Sequence, residues 1–333
     1  MPRCCVTADS SAALVPADVL ARHHRLRGDR VWFAACHPEL RDGLALSSTA
    51  VLPEVDDEAH RAGAERIGRA CAEAGDLVDG VFRLSRFAGP LAGLIDSGRL
   101  RVSAEVDPAG LRDVRLSPGL AELRPVTGFG ARYRRWWLEA DRRVHVTDGD
   151  PLLLEALLLS AGLPPPTDVV RVDARADLVG GPDGARWWLL GDVRRKDLGA
   201  LVDRVTVMVH RYRDGRPPAP AEVPGLTDAC REAPGLVDRA LAEFDLVGAG
   251  GAVWRIVERA AEFLDGARPW ELARSTEQDG RRLDVVLGAV LSACRALSVQ
   301  LTPFLPAAAA RITTQCVTLT ERLPPPRALF PQG

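Results

Sequence analysis

Apolar residues recur at helical spacing through Leu283, Val286, Leu287, Val290, Leu291, Cys294, Leu297 and Leu301. That period predicts one long helix with a continuously apolar face, the kind buried in a bundle. Pro269 and Trp270 open this stretch at a turn, and Pro303 and Pro306 are expected to stop it. The N-terminal part follows a different rhythm. Residues 4–8 (CCVTA) predict a short strand. A helix is expected from Pro16, with Val19, Leu20 and His23 on one face and Gly28 as its cap. The apolar run RVWFAA at 30–35 predicts a second, buried parallel strand. Strand, helix, strand in that order is a βαβ unit, the start of a doubly wound sheet.

The pattern continues with an amphipathic helix between 58 and 75, a strand at 144–147, a helix at 152–160 and a strand at 168–172. From Lys196 the periodicity is helical throughout. The Pro-rich stretch 216–224 reads as a surface connection, and VGAGG at 247–251 reads as a turn between two helices. The expected fold class is therefore α/β plus all-α. A Rossmann-like doubly wound parallel sheet occupies 1–195, and a helical bundle with a Pro-rich tail occupies 196–333.

Composition narrows the function classes. The net charge is −2, so no global basic field favours nucleic acid, and DNA is not an expected partner. Lys196 is the only lysine among 43 basic residues, which excludes any motif needing two lysines. Cysteines stand at 4, 5, 36, 71, 230, 294 and 316 without a C-x-x-C, which argues against a zinc knuckle and fits reduced thiols. The N-terminus has no long apolar segment, and the apolar run 152–159 is broken by Glu155. A soluble cytoplasmic protein without a membrane span is expected.

Several residues are candidates for chemistry. Cys36 and His37 follow the second strand, where ligands bind in open α/β sheets. Asp148 and Asp150 flank Gly149 after a strand and form a possible cation cluster. Arg171 and Arg175 are the phosphate candidates, since a guanidinium fork suits phosphate.

Longer motifs carry a resemblance. ADVLARHHRLRGDRVWF at 17–33, VFRLSRFAGPL at 81–91, IDSGRLRV at 95–102, HVTDGD at 145–150, LLSAGLPPP at 158–166, DLGALVDRVTVMVHRYRDG at 197–215 and LPPPRALFP at 323–331 occur in this order. Together with the Pro-Trp turn and the long apolar helix, they resemble class I methionyl-tRNA synthetases along nearly the whole chain. The resemblance implies a trimmed class I synthetase core followed by an anticodon-binding-type bundle. It also exposes what is missing. The family's H-x-G-H motif has no counterpart in DSSAALVP at 9–16, K-M-S-K-S cannot exist with one lysine, and the zinc-bearing insertion has no room. In the aligned pocket segment, Pro38 stands at the family's aspartate, Glu39 is kept and Leu40 replaces a histidine. The helix after Asp150 is shortened where a pocket histidine is expected.

The resemblance also implies RNA contacts. Trp270 matches a base-stacking tryptophan, and Arg204, Arg211 and Arg213 form a basic stripe. Against this, Ala261, Glu262 and Asp203 replace the family's polar and basic readers. The expected function is that of a methionyl-tRNA-synthetase-like protein that has lost ordinary ATP-dependent aminoacylation and acts as a binding, partner or regulatory protein. One alternative is an enzyme of specialised metabolism that activates or condenses amino acids around Cys36, His37, Asp148 and Asp150. Another is a tRNA-binding module. No cofactor is evident. ATP is the nucleotide the resemblance implies, and its motifs are absent. The expected partners are tRNA, a protein from the same pathway, or an amino acid.

Overall fold

The computed structural model describes residues 1–35, 40, 42–44, 46–47, 57–128, 130–172, 181–190, 195–273, 277–317 and 321–330. They fall into two units, 1–181 and 182–333. The division lies ahead of the 195/196 boundary that the helical pattern suggests.

In the first unit, strand β1 (Arg3–Ala8) is buried from Cys4 onward, as a central strand covered on both faces must be. Only Asp9 and Ser10 separate it from helix α1 (Ser11–Leu26). Ser10 caps that helix, its hydroxyl accepting from the Ala13 N–H at 3.2 Å. The helix thus begins five residues before Pro16, which lies inside it. The expected start at the proline is corrected by a serine cap that satisfies the first turn. Strand β2 (Arg30–Ala35) pairs parallel to β1, with Cys5 opposite Trp32.

Helix α2 (Asp57–Glu73) follows, then β3 (Leu77–Val78), β4 (Val81–Phe82), α3 (Ala88–Asp96), β5 (Arg101–Val102), β6 (Val114–Arg115), α4 (Arg124–Thr127) and α5 (Gly130–Glu139). Strand β7 (Arg142–Thr147), helix α6 (Leu153–Ser160) and strand β8 (Asp168–Arg171) complete the unit. The main sheet has the order β2-β1-β7-β8-β5, and its neighbouring strands run parallel. Strands β3, β4 and β6 form a small antiparallel sheet. Phe82, Leu84, Leu91, Leu100, Leu123 and Trp137 are the large residues of a core that also takes in Leu157 and Leu158 of α6.

The chain leaves β1 toward β2 on one side, while β7 pairs on the other. The gap between the C-terminal ends of β1 and β7 is therefore the topological switch point, where open α/β sheets hold their ligands.

The second unit is helical: the short α7 (Gly181–Gly184), then α8 (Arg195–Arg213), α9 (Leu226–Ala242), α10 (Leu246–Ala267), α11 (Pro269–Leu272), α12 (Glu277–Gln300) and α13 (Pro306–Cys316). Leu283, Leu287, Val290, Leu291, Cys294 and Leu297 of α12 are buried, as their spacing predicts. Two expectations need correction. VGAGG is not a turn but the first turn and a half of α10, capped by Asp245, whose carboxylate accepts from the Gly248 N–H at 2.7 Å. Gly250 is needed there because a Cβ would stand 2.6 Å from the Leu189 carbonyl oxygen. Pro306 does not only end a helix; it opens α13 at a first-turn position, where its missing N–H costs nothing. Asp183 accepts from the N–H groups of Ala307 (3.0 Å) and Ala308 (2.8 Å), which satisfies the start of α13.

One further expectation shifts. The helical stretch Gln278–Gln300 is long and apolar enough to cross a membrane by length and composition, although 61% of its most apolar window is buried within the protein. That burial is what a core helix requires.

Candidate functional site

Strands β1 and β7 bring a polar cluster to the switch point. Thr7, Asp9, His145 and Thr147 face one another across the two strands, in a register that sets Thr7 opposite His145. The Thr7 hydroxyl and His145 Nδ1 share a hydrogen bond at 2.9 Å. His145 Nε2 lies 3.7 Å from Asp9 Oδ2. Thr147 donates its hydroxyl to the same Asp9 oxygen at 2.6 Å and accepts from the Gly149 N–H at 2.9 Å. The other oxygen of Asp9 is buried without a hydrogen-bond partner among the described residues.

Burial decides the charge states. His145 is 2% exposed, and loss of hydration pulls its pKa down to about 3, so the ring is neutral at physiological pH. Burial raises the Asp9 carboxyl to about 6 despite the Thr147 hydrogen bond, and the charge of Asp148 pushes in the same direction. Glu155 on α6 is fully buried, and neither of its oxygens has a hydrogen-bond partner among the described residues. Burial raises its carboxyl well above the ordinary range. Asp150 and Asp9 each add to the rise. The cluster is thus rich in carboxyl groups, buried at Glu155 and His145, and braced by threonine hydroxyls.

Asp9 carries a sign-definite prediction. Its folded pKa lies above its ordinary value of 3.8, so its contribution to stability is complete below that value and is lost as pH rises through about 6. With 27% of its side chain exposed, the loss at neutral pH is about 2 kcal/mol. Asp9→Asn should therefore gain stability over the wild type at pH 7.5 and gain nothing at pH 4. Thermal denaturation of both proteins at the two pH values tests this. An equal difference at both would contradict it. His145 favours unfolding in acid in both proteins and cancels from the comparison.

Of the sequence candidates, Asp148 and Asp150 are brought to this cluster. Asp148 is half-buried, and the exposed Asp150 accepts from the Leu152 N–H at 2.9 Å at the start of α6. Arg171 ends β8 opposite Thr147; its side chain is exposed and its N–H donates to the Ser103 hydroxyl at 2.8 Å. Cys36, His37 and Arg175 lie outside the described residues. Trp270, Arg204, Arg211 and Arg213 belong to the second unit. Trp270 is 41% exposed. Arg204 pairs with Asp265 at 3.0 Å, Arg213 pairs with Asp284 at 2.5 Å, and Arg211 lies over the Tyr212 ring. Much of the basic stripe is therefore neutralised within its own bundle.

Asp9, His145 and Glu155 were missed as site residues. Asp9 had a usable signal, since it directly follows the first strand of a βαβ unit. Glu155 had a weaker one, as the charge that interrupts an apolar run. Among the described residues no group of three or more His, Cys, Asp or Glu is arranged to hold a metal ion.

The parallel sheet with its switch point and the helical unit have counterparts among solved structures. The fold matches a Mycobacterium tuberculosis methionyl-tRNA synthetase in complex with methionyl-adenylate at a TM-score of 0.78 and 19% identity, over 100% of both chains. The free-state structure from the same organism matches at 0.75 and 20% identity, over 99% of this chain and 98% of that one. In sequence, the chain is similar to methionyl-tRNA ligases. It is 33% identical over 123 residues to the Clostridium acetobutylicum protein, which is 36% of this chain and 19% of that one. It is 27% identical over 189 residues to the Lactococcus lactis protein, which is 54% and 28% respectively. The chain thus spans from 19% to 28% of the length of these curated relatives. No protein-family model matches it.

Proposed function

We propose that this chain keeps the methionyl-tRNA-synthetase scaffold without ATP-dependent aminoacylation and serves as a binding protein, with the switch-point crevice as its ligand site. One observation carries this reading. Strand β1 enters α1 through Asp9 and Ser10 alone, which leaves no loop there to cradle a triphosphate, and the carboxylates nearby are Asp9, Asp148 and Asp150. Two like charges 4 Å apart repel by about 4 kcal/mol at an effective dielectric of 20, so a polyanion is disfavoured at this position. The sequence agrees, having no H-x-G-H and a single lysine. The residues present do not fit ATP. Six described cysteines that form no bridge suit a reducing cytoplasm. Methionine-dependent exchange of labelled pyrophosphate into ATP tests the reading: exchange at background level is expected, and exchange above it would overturn the proposal.

A second reading has one observation in its favour. Trp270 presents an exposed ring on a short helix, and stacking on an unpaired base needs such a face. If this chain binds tRNA, Trp270→Ala should weaken retention of tRNA in a gel at low salt by about tenfold, since a stack contributes about 1–3 kcal/mol. Identical retention by variant and wild type removes tRNA from this surface. The condensing-enzyme alternative around Cys36, His37, Asp148 and Asp150 is not tested by this geometry, because Cys36 and His37 lie outside the described residues.

A further inference from the structure

We infer that the cavity between α2, α4 and α5 is a ligand site in its own right, which takes a small monocarboxylate with an apolar body and pairs the carboxylate with Arg66. It is separate from the crevice at the C-terminal ends of β1 and β7. Asp150 stands ahead of α6, whereas Ala161 and Leu163, which line the cavity, follow the end of that helix.

The cavity follows from the sequence of α2. Ala59, Ala62, Gly63, Arg66 and Ala70 recur at three- and four-residue spacing, so they share one helix face, and all five line the space. Three of them carry only a methyl group and Gly63 carries none, so this face has little bulk to fill the gap to its neighbours. Val126 of α4, Trp137 of α5 and Leu163 form the facing walls. The space measures about 410 Å³. Protein interiors hold few voids larger than a water molecule, whereas pockets for small molecules run from about 300 to 1,000 Å³. Gly63, Ile67 and Trp137 are buried, while Ala62, Arg66 and Leu138 are exposed, which gives the cavity a buried floor and a rim in solvent.

The polar groups of the wall select the ligand class. The Thr127 hydroxyl donates to the Leu123 carbonyl at 2.9 Å and shares a hydrogen bond with His60 Nδ1 at 2.6 Å. The Trp137 indole N–H is taken by the Pro164 carbonyl at 2.9 Å. Arg66 differs from both. It is the only charged residue among those lining the cavity, and it has no ion pair or hydrogen bond among the described residues. A guanidinium fork meets a carboxylate through two parallel N–H···O bonds. One positive charge balances a monocarboxylate, leaves a phosphate dianion half-neutralised and repels an ammonium. The rest of the ligand must be apolar, because alanine, valine, isoleucine, leucine and tryptophan make up most of the remaining surface.

The test is calorimetric titration and thermal shift of the full chain at pH 7.5 and fixed ionic strength, with sodium octanoate as probe. Sodium hexanoate and n-octylammonium chloride are the comparison ligands. The wild type should bind octanoate saturably and rise in Tm. Hexanoate should bind about tenfold more weakly, since two buried methylenes are removed, and octylammonium at least about fivefold more weakly. Arg66→Gln should weaken octanoate about fivefold and narrow its advantage over octylammonium. Ala62→Phe, which places a ring at the rim, should weaken octanoate by about tenfold or more. Both substituted side chains are exposed, so the fold should survive, and thermal denaturation without ligand checks this. No saturable octanoate binding in the wild type, equal affinity for octylammonium, or unchanged octanoate affinity in either variant would each overturn the inference. Pyrophosphate exchange bears only on the preceding proposal, and octanoate binding bears only on this one.

Discussion

Replacing Asp168 with alanine should destabilise the first unit by about 3 kcal/mol, at the lower end of the range for breaking a buried ion pair. Asp168 begins β8 and is 2% exposed. Its carboxylate accepts from Arg101 Nε at 2.7 Å, Arg142 Nε at 2.8 Å and the Thr167 hydroxyl at 2.8 Å. These donors come from β5, β7 and the residue before β8, so one side chain ties three adjacent strands together at their N-terminal ends. Burial pushes its carboxyl up, but the Arg142 hydrogen bond and charge, with Thr167 and Arg101, outweigh burial and hold it below the ordinary range. An acid with a depressed pKa contributes stability above its ordinary value and loses it as pH falls through the folded value. The gap between wild type and Asp168→Ala should therefore narrow in acid. Arg101 and Arg142 keep 40% and 30% of their side chains exposed, so water partly replaces the lost partner, which is why the lower figure is expected. Urea denaturation at pH 7.5 and pH 3 measures both effects. A loss below about 1 kcal/mol at neutral pH would contradict this account.

Trp137→Ala should cost the same unit about 3–5 kcal/mol. Trp137 on α5 is 2% exposed, and its indole N–H donates to the Pro164 carbonyl at 2.9 Å. It also borders a cavity of about 410 Å³ lined by Gly63 and Ile67 of α2 and Val126 and Thr127 of α4, among others. Truncation merges the indole volume with space that is already open, so neighbouring side chains cannot close over it cheaply. Gly63 lets α2 approach α4 closely, because a Cβ there would come within 2.8 Å of the Thr127 side chain. Trp137→Phe retains most of the apolar contact and loses the hydrogen bond, so about 1–2 kcal/mol is expected. Equal losses for the two variants would mean that the hydrogen bond, and not the packing, dominates.

Neither substitution touches the C-terminal edge of the sheet. The acidic crevice lies at the opposite end of β7 from Arg142, so the elements that stabilise the sheet and the residues assigned to the ligand are separated along the same strand. That separation lets the crevice hold unpaired carboxylates at a cost met elsewhere in the unit.

Much of the fold was legible because its elements follow strong periods. The strand–helix–strand opening and the stripe from Leu283 to Leu301 were read from spacing alone. Helix α13 was not, since four consecutive alanines after Pro306 show no polar-apolar alternation and the proline suggested an end. VGAGG reads as a turn because glycine is ambiguous in sequence. Here it allows close packing on Leu189, while the true turn is at 243–245, with Phe244 at φ 60°. Asp148 and Asp150 were legible as residues following a strand. Glu155 was seen only as an interruption in an apolar run, because a sequence does not show whether a buried acid has a partner. That depends on what β1 brings across from residues about 150 positions earlier.

The proposal turns on whether the acidic crevice at the C-terminal ends of β1 and β7 accepts a triphosphate. Calorimetric titration of magnesium-ATP into the protein, with methionine absent and then present, tests it most directly. The account predicts no saturable heat at millimolar ATP under either condition. One-to-one binding that tightens with methionine would contradict it.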